Sequence, residues 1–378
     1  RKCGPGGGGY GMTENVQLKD QAAHDAAAKV ADLSEDKVKL NVTLLGGGFG
    51  RRLEVDVVVQ ATQLAMAADG APVQLVWSRE QDMTHDYYRP MHVAQLSAAV
   101  NGQGQVESLQ IKSAGDAISP RWMSRVLPAL SGPIDAPDKT TAEGLFDLPY
   151  GFEHQRMSHV STKMGVPIGF WRSVGHSGNA FVVETFIDQL AHAAKKDPVI
   201  FRRELLASEP RALGVLNLAA EKSGWGKPLP KGLTRGIAVH KSFGTWVAQV
   251  AEVRVNDNGS FRVERVVCAV DCGVAVNPDV IRAQMEGGIG MGLSAALGEA
   301  ITLKKGVVEQ SNFHNYSLLR IDAMPKVEVH IVASTEKPGG IGEPGTPPIA
   351  PAVANALFAA TGKPMRNLPL KNHGLRIV

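Results

Sequence analysis

One carboxylate in this sequence stands in a setting that suits a fixed catalytic base. Glu343 lies within residues 339–348, a run of glycines and prolines that leads into an apolar stretch. Proline fixes the backbone angle φ and glycine lets the backbone approach a ligand closely, so such a loop can hold one acid in one place. A general base needs that placement. A solvated turn has the same composition, and this segment alone does not separate the two interpretations.

A second segment, residues 46–50, has the composition of a ligand-binding turn. Three glycines, Phe49 and Gly50 follow an alternating apolar stretch that predicts a strand. Glycines in this position expose backbone N–H groups to an anionic or oxo ligand. Neither nucleotide-binding motif fits, because no Gly-Lys-Ser/Thr follows and the dinucleotide spacing is wrong. A tight turn without a ligand is the alternative.

A third segment places an arginine where it could bind an oxygen ligand. Arg172 stands within residues 169–179, between aromatic and small polar residues and just before a predicted helix. A guanidinium can bind phosphate or another oxygen ligand through its forked donors, although pairing with a carboxylate on a helix face is the commoner arrangement. We interpret His176 as a local hydrogen-bonding residue, because no second His or acid stands at ligand spacing.

A fourth segment joins a strand end to a helix of small residues. A strand that ends near Asp271 is followed by an Asn-Pro turn and by a Gly-rich helix at residues 284–293. The glycines let that helix pack against another backbone, and we favour this structural role over a cofactor contact. Cys268 and Cys272 lie in the strand, and no Cys or His pair completes a zinc site with them. We therefore predict buried structural thiols.

The composition of the whole chain is globular. Its 378 residues predict two or three domains, and a hydrophobic content of 44% is ample for a large core. A net charge of +3 implies neither nucleic acid nor an anionic membrane as a partner. Three cysteines do not form a disulfide framework. The sequence contains no stretch of about twenty apolar residues, and its first residues do not resemble a signal peptide.

Hydrophobic periodicity and turn residues predict the elements that must position these segments. The predicted helices are residues 15–32, 57–68, 181–194, 198–206, 212–222, 279–297 and 350–360. The predicted strands are residues 37–45, 73–77, 236–240, 247–255, 261–270, 306–309 and 327–332, with a hairpin over residues 93–113. Residues 119–163 are predicted to be irregular, and residues 1–12 to be a flexible Gly-rich start. A Pro/Gly cluster at residues 228–232 predicts a boundary between domains at residues 13–227 and 228–378.

The segments occur together and in one order, and in that combination the chain resembles a known family. It is similar to the large, molybdopterin-binding subunit of the xanthine dehydrogenase family of molybdenum hydroxylases. The nearest branch is that of the isoquinoline 1-oxidoreductase beta subunit, which includes bacterial aldehyde dehydrogenases. The resemblance runs from about residue 30 to the end. It implies an α+β fold of the xanthine oxidase type, with mixed sheets and packed helices in two molybdopterin-binding domains, the first of them partial.

The resemblance also implies a reaction. In this family a pterin dithiolene holds molybdenum, often in bacteria as molybdopterin cytosine dinucleotide, so no protein side chain is expected as a metal ligand. A glutamate accepts a proton while water-derived oxygen is transferred to an aldehyde or an N-heteroaromatic ring, and both substrate classes remain open. Glu343 matches that glutamate. The implied cofactor contacts are Gly47, Gly48, Phe49, Gly50, Arg172, Gly340, Ile341 and Gly342. The expected substrate pocket contains Phe49, Phe170, Trp171 and Trp246.

The chain departs from the family pattern in two places. Met291 stands where many relatives have Gln, and the Met-Gly-Gln-Gly segment that contacts the pterin is absent. Gln17 is a weak counterpart of a Gln that faces the metal. We therefore expect an N-terminal portion or a companion chain to supply the absent segment.

The resemblance implies partners and a location as well. It implies a small [2Fe–2S] subunit that receives electrons, allows a cytochrome c subunit, and suggests a complex in the bacterial periplasm or attached to the membrane through its partners. The alternative function is that of a non-catalytic assembly or maturation subunit without molybdenum.

Overall fold

The computed structural model describes residues 16–128, 131 and 138–377. The helices are α1 (Val16–Ala31), α2 (Asp56–Ala67), α3 (Arg79–Thr84), α4 (Ile118–Val126), α5 (Lys139–Ala142), α6 (Val174–Ala193), α7 (Pro198–Leu205), α8 (Pro210–Ser223), α9 (Pro278–Leu297) and α10 (Ile349–Thr361). The strands are β1 (His92–Val100), β2 (Val106–Asp116), β3 (His154–Thr162), β4 (Leu233–Ser242), β5 (Thr245–Val255), β6 (Ser260–Asp271), β7 (Leu303–Lys304), β8 (Val307–Val308), β9 (Lys326–Ile331) and β10 (Arg376–Ile377). Single 3₁₀ turns occur at Glu35–Lys37, Arg51–Leu53, Ile321–Ala323 and Leu370–His373. The predicted Gly-rich start, residues 1–12, lies outside the described residues.

A mixed sheet forms the centre of the second half of the chain. Strands β4, β5 and β6 pair antiparallel in that order, and β9 and β10 both pair in parallel with the far side of β6. Successive side chains of β5 alternate between the two faces, so Val247 and Ala251 belong to one hydrophobic core and Ala248 and Val250 to another. Both faces are buried, which explains why β5 is apolar along most of its length.

Helices cover the two faces of this sheet. Helix α8 packs on β5 and β6, while α10 packs on β4 and β5 and also contacts α9. Helix α6 contributes to both cores, with Phe181 in the core that contains α9 and α10 and with Val183 and Ile187 in the other. The packing therefore fixes the position of α6, whose first turn follows directly after Arg172.

A smaller sheet packs beside α6. The hairpin β1–β2 is antiparallel, and β3 pairs with β2 in parallel. The side-chain oxygen of Asn101 accepts the N–H groups of Gln103 and Gln105 at 3.0 Å each, which closes the turn. Leu109 and Ile111 of β2 bury their side chains in the same core as Ile187 of α6.

A buried ion network ties α6 to α7. Arg202 is fully buried and donates to Glu184 Oε2 at 3.0 Å and to Asp188 Oδ1 at 2.8 Å. Glu184 also accepts the hydroxyl of Tyr150 and, at 3.0 Å, the N–H of Val239 in β4. Burial raises the pKa of Glu184, and the charge of Arg202 opposes that increase. The network connects two helices and the central sheet through charged side chains.

Most of the predicted elements are confirmed. The structure has the predicted helices as α1, α2, α7, α8, α9 and α10, and the predicted strands and hairpin as β1, β2, β4, β5, β6, β8 and β9. The predicted Phe181 helix is also present, but it begins at Val174. The first two turns have no apolar periodicity, because this part of the helix is rich in glycine and polar residues and is buried on nearly all sides.

Two strand predictions and the irregular segment are wrong. Residues 37–45 and 73–77 form no ladder with any described residue, and Leu44 and Val76 are exposed. An alternating pattern shows that one face of a strand could be buried. A strand forms only when a neighbouring strand is available for backbone hydrogen bonding. Residues 119–163 are not irregular throughout, because they contain most of α4, all of α5 and all of β3.

Two further observations concern membrane-spanning helices and the predicted domain boundary. No helix in the described parts of the chain is both long and apolar enough to cross a membrane. Residues 228–232 connect α8 to β4, and α8 packs on the sheet that follows it. The domain boundary at that turn stays a prediction.

Candidate functional site

The first turn of α6 is the centre of the site, and its backbone is strained. Ser173 and Val174 have φ values of 70° and 49°, in the left-handed region that a β-branched residue rarely adopts. Such outliers cost about 1–3 kcal/mol each and persist where surrounding contacts determine them. The contacts in question come from the loop that carries Glu343.

Glu343 is bound to this turn by its side chain and by its backbone. The N–H of Ser173 donates to Glu343 Oε1 at 3.0 Å, and the Ser173 hydroxyl donates to the Glu343 carbonyl at 2.7 Å. The N–H of Thr346 donates to the same carbonyl at 2.9 Å. The Glu343 side chain is half-buried and fixed at the N-terminus of a long helix, where a carboxylate is favoured. The sequence-based expectation of a single acid held in one place is confirmed.

Arg172 clamps the same loop from the other side. Its Nε donates to the Gly342 carbonyl at 2.7 Å, and an Nη donates to that carbonyl and to Gln284 Oε1, the latter at 2.9 Å. Burial lowers the pKa of Arg172, and the charge of Glu343 opposes that decrease. The guanidinium therefore uses its fork on a backbone carbonyl and an amide.

The turn at residues 46–50 meets Arg172 through close backbone packing. Gly50 has a φ of 101°, and a Cβ at this position would overlap the carbonyl of Phe170. Only glycine allows that approach. The Phe49 ring lies 5.7 Å from the Arg172 guanidinium carbon and is about half exposed, at 51%. The predicted second and third segments are thus neighbours in the fold.

The glycine-rich part of α9 serves the close packing that we favoured. The α-carbon of Met285 in α9 would lie 3.1 Å from a Cβ on Gly345, and Gly288 faces the same backbone. The Gln249 amide of β5 donates to the Gly345 carbonyl at 2.8 Å. Thr245 donates to the Gly340 carbonyl at 2.6 Å. These contacts hold residues 339–346 between the sheet and α9.

Two loops at the site carry backbone donors without protein acceptors. Within the described residues, the N–H groups of Gly47, Gly48 and Phe49, and those of Ile341 and Gly342, donate to no protein atom. These residues are half-buried or exposed, so their N–H groups are accessible to water or to the acceptor atoms of a ligand. The structure brings all of the predicted cofactor-contact residues into this one region, and their role as contacts stays a prediction.

The predicted pocket aromatics divide into two groups. Phe170 and Trp171 adjoin Arg172 in the chain, with Phe170 edge-on to Trp122 at 5.8 Å and Trp171 under the Arg89 guanidinium at 4.6 Å. Trp246 is only 2% exposed. It points to the face of β5 opposite Thr245, which contacts the Glu343 loop. The expectation that Trp246 lines the pocket is therefore wrong, because one residue of shift along a strand reverses the face.

A second carboxyl group, Glu143, lies at the same turn of α6 and was not predicted. The Asn179 amide of α6 donates to the backbone carbonyls of Thr141 and Glu143 at 2.8 and 2.7 Å. Gly175 leaves no room for a Cβ against the carbonyl of Thr140. Burial raises the pKa of Glu143 to about 7, and the negative charges of Asp147 and Glu343 add to this increase. No sequence pattern around Glu143 marks it as a site residue.

Two buried histidines lie beside Glu143 and the start of α6. His176 Nδ1 and His240 Nε2 are 2.9 Å apart and form one hydrogen bond. Burial lowers the pKa of His176 to about 4, and the pKa of His240 lies well below its usual range for the same reason. Both rings are neutral at pH 7. His176 is a hydrogen-bonding residue as predicted, but its partner is not local, since His240 lies 64 residues along the chain.

The cysteines and the possible metal ligands lie outside this arrangement. Cys268 and Cys272 are buried and unpaired, as predicted, and burial raises the pKa of Cys268 to about 12. Among the described residues, one group of His, Cys, Asp or Glu side chains is close enough to share a metal ion, namely His24, Asp25 and Glu35. It belongs to α1 and the turn after it.

Comparison with known proteins gives the family. The profile of a molybdopterin cofactor-binding domain matches residues 5–206, which is more than half of the chain, and a second molybdopterin cofactor-binding profile matches residues 212–325. The chain belongs to the xanthine dehydrogenase family of molybdenum hydroxylases. It corresponds to the molybdopterin-binding subunit, as the ordered motifs predicted.

Curated relatives agree with this placement. The molybdopterin-binding chain is 34% identical over 353 residues to the isoquinoline 1-oxidoreductase beta subunit of Brevundimonas diminuta, covering 91% of this chain and 44% of that protein. It is 32% identical over 370 residues to a membrane-bound aldehyde dehydrogenase of Gluconacetobacter polyoxogenes, named for pyrroloquinoline quinone, covering 91% of this chain and 47% of that protein. The chain thus spans less than half the length of these two relatives.

A solved structure shows the same fold. Quinoline 2-oxidoreductase from Pseudomonas putida 86 superposes with a TM-score of 0.77 at 12% identity, covering 93% of this chain and 70% of that one. The predicted α+β class, with mixed sheets and packed helices of the xanthine oxidase type, is confirmed.

Proposed function

We propose that this chain supplies the Glu-bearing catalytic part of a molybdenum hydroxylase. The reaction would be the hydroxylation of an aldehyde or an N-heteroaromatic ring with oxygen from water. The observation that carries the proposal is the Glu343 carboxylate, fixed by the Ser173 N–H where the loops of Phe49 and Arg172 meet. A positioned carboxylate with unsatisfied N–H donors beside it is the arrangement that proton abstraction next to a bound cofactor needs.

The residues of this chain have separate roles in that reaction. The N–H groups of residues 47–49 and 341–342 would hold the cofactor, and Arg172 keeps Gly342 in place for it. When bound, the molybdenum cofactor supplies the oxygen for transfer and takes up the electrons. Glu343 accepts the proton on its carboxylate. Phe49, Phe170 and Trp171 would limit access of water and orient a planar substrate.

Further components belong to the same proposal. We infer that the pterin is in the cytosine dinucleotide form and that a small [2Fe–2S] subunit receives the electrons. An N-terminal portion or a companion chain would supply the Met-Gly-Gln-Gly segment, and a cytochrome c subunit would extend the electron route. The bacterial periplasm, or a membrane attachment through partners, is the proposed location.

Substitution of Glu343 tests the proposal. Glu343→Gln keeps the size of the side chain and removes the base, so turnover should fall at least ~100-fold while molybdenum stays bound. Steady-state kinetics and metal analysis of the purified complex give both quantities. Glu336→Gln changes an exposed acid in the same connection and should leave turnover unchanged. Full turnover in Glu343→Gln would exclude Glu343 as the base.

Metal and cofactor analysis separates the enzyme from its alternative. Molybdenum near one atom per complex, with a pterin nucleotide in the extract, supports the catalytic subunit. A complex that carries neither supports an assembly or maturation subunit. Pyrroloquinoline quinone in place of a pterin would contradict the cofactor assignment.

A further inference from the structure

Glu143 occupies the same end of α6 as Glu343, but its surroundings differ. Its Oε2 is buried, has no hydrogen-bond partner among the described residues, and lies 3.8 Å from His176 Nε2. The rest of its side chain is accessible, with 21% exposed in total. Glu343, in contrast, accepts the N–H of Ser173. A backbone N–H therefore bonds the Glu343 carboxylate, whereas the buried Oε2 of Glu143 has no such donor among the described residues.

A series of contacts links the surroundings of the two carboxyl groups. The His176 ring beside Glu143 stands edge-on to Phe243 at 5.6 Å. The Phe243 carbonyl accepts the N–H of Gly340 at 2.7 Å, in the loop that carries Glu343. Glu343 contacts Ser173 and Glu143 lies beside His176, so both carboxyl groups lie at the start of α6. The negative charge of Glu343 also contributes to the raised pKa of Glu143.

The charged and titratable groups around Glu143 favour its neutral form. Asp147, Glu343 and Asp138 oppose its ionisation, and Lys139 weakly favours it. His176 and His240 are neutral at pH 7, so they offer no compensating charge. Two carboxyl groups whose surroundings favour opposite protonation states are the arrangement expected of an acid and a base in one site.

We propose that Glu143 is a second catalytic residue, whose protonated carboxyl group donates a hydrogen bond to the substrate heteroatom next to the carbon that is oxidised. This inference rests on the proposed function. In an aldehyde that atom is the carbonyl oxygen, and in an N-heteroaromatic ring it is the ring nitrogen. Either atom gains negative charge as oxygen adds to the neighbouring carbon. A fixed donor stabilises that charge, and no proton needs to be transferred completely.

The pH dependence of kcat/KM tests the role directly. The wild-type complex should lose activity as pH rises through about 7, because Glu143 ionises and its donor disappears. Glu143→Gln keeps an N–H donor that does not titrate, so it should remain active and lose this alkaline decrease. Glu143→Met has a similar length and no donor, so with molybdenum still bound it should lower kcat/KM about 100-fold below pH 7, and its difference from wild type should shrink at higher pH, where wild type loses its own donor.

Asp147→Asn provides a charge control. Its side-chain oxygen can still accept the Gly144 N–H, a bond of 2.8 Å in the structure, but the negative charge that disfavours Glu143 ionisation is removed. The alkaline decrease should shift to lower pH. An alkaline decrease that persists unchanged in Glu143→Gln, or full activity in Glu143→Met, would overturn the proposal.

Thermal unfolding gives a readout that does not need turnover. The native carboxyl holds its proton to about pH 7, against an ordinary value of 4.5, so this group lowers stability as pH rises between these values. The unfolding midpoint of Glu143→Gln relative to wild type should therefore increase from pH 5 to pH 8. A constant difference would contradict a protonated Glu143. Loss of activity in Glu343→Gln is measured separately, so failure of this inference leaves the proposed base intact.

Discussion

At the residue scale, the site depends on a few side chains that fix backbone atoms. Arg172 donates hydrogen bonds to the Gly342 carbonyl and to Gln284. Ser173 donates to both the side chain and the carbonyl of Glu343. The left-handed angles of Ser173 and Val174 are held by these bonds. The strained turn at the start of α6 therefore holds the Glu343 carboxylate in a fixed position.

Arg172→Lys tests this positioning role. Lysine keeps the charge but cannot reach a carbonyl and an amide at once with a planar fork, so the loop at Gly342 should loosen. Turnover should fall by up to ~100-fold, the scale of a misplacement of about 1 Å. Arg282→Lys alters an exposed ion pair on α9 and should have no effect on kinetics. Equal turnover in the two variants would show that the clamp is dispensable.

At the element scale, α6 is held by polar contacts as much as by apolar ones. Its Glu184 and Asp188 are buried against Arg202 of α7, and Glu184 reaches β4 through the Val239 N–H. Burying charge is favourable only when each charge is paired and hydrogen-bonded. The start of α6, and with it the Glu343 contact, depends on this network.

Removal of the Arg202 charge should destabilise the protein strongly. Arg202→Leu leaves Glu184 and Asp188 buried without their partner, which costs about 3–5 kcal/mol. Urea denaturation followed by circular dichroism measures the change. The adjacent Arg203 is exposed and bonds Asn217 at 2.7 Å, so Arg203→Leu should alter stability by less than about 0.5 kcal/mol. Similar losses in both variants would mean that the buried network contributes nothing specific.

At the scale of the whole molecule, the site is assembled from distant parts of the sequence. Phe49 and Arg172 lie in the first profile-matched region, and Gly342 lies beyond both regions. Gln284, which accepts a hydrogen bond from Arg172, comes from the second region. The chain spans less than half of its two curated relatives described above. Partner components, among them the [2Fe–2S] subunit, therefore remain part of the proposed function.

Iron should accompany the active complex. If electrons leave through [2Fe–2S] clusters, purification of a turnover-competent complex should bring down iron, and reduction by substrate should produce the paramagnetic signal of such clusters. The Glu343→Gln complex should contain the same iron and show no substrate-dependent signal. An active preparation without iron would disprove this electron route.

The sequence by itself determined the main elements and the family, and it predicts the chemical centre. Apolar runs bounded by turn residues predicted β4, β5 and β6, and runs of apolar or small residues that follow a proline predicted α7, α9 and α10. Glycine and proline around Glu343, and the order of the motifs, indicated the base and the family. These signals are local, so they can be read without coordinates.

Only the tertiary structure decided which residues meet. It showed that residues 37–45 find no strand partner among the described residues, that Trp246 faces away from the Glu343 loop, and that Glu143 lies at the same helix end as Glu343. Pairing, strand face and the approach of two carboxyl groups depend on contacts between segments far apart in the chain. Local composition carries no record of such contacts, since the free energy that fixes them comes from burial and hydrogen bonding between elements.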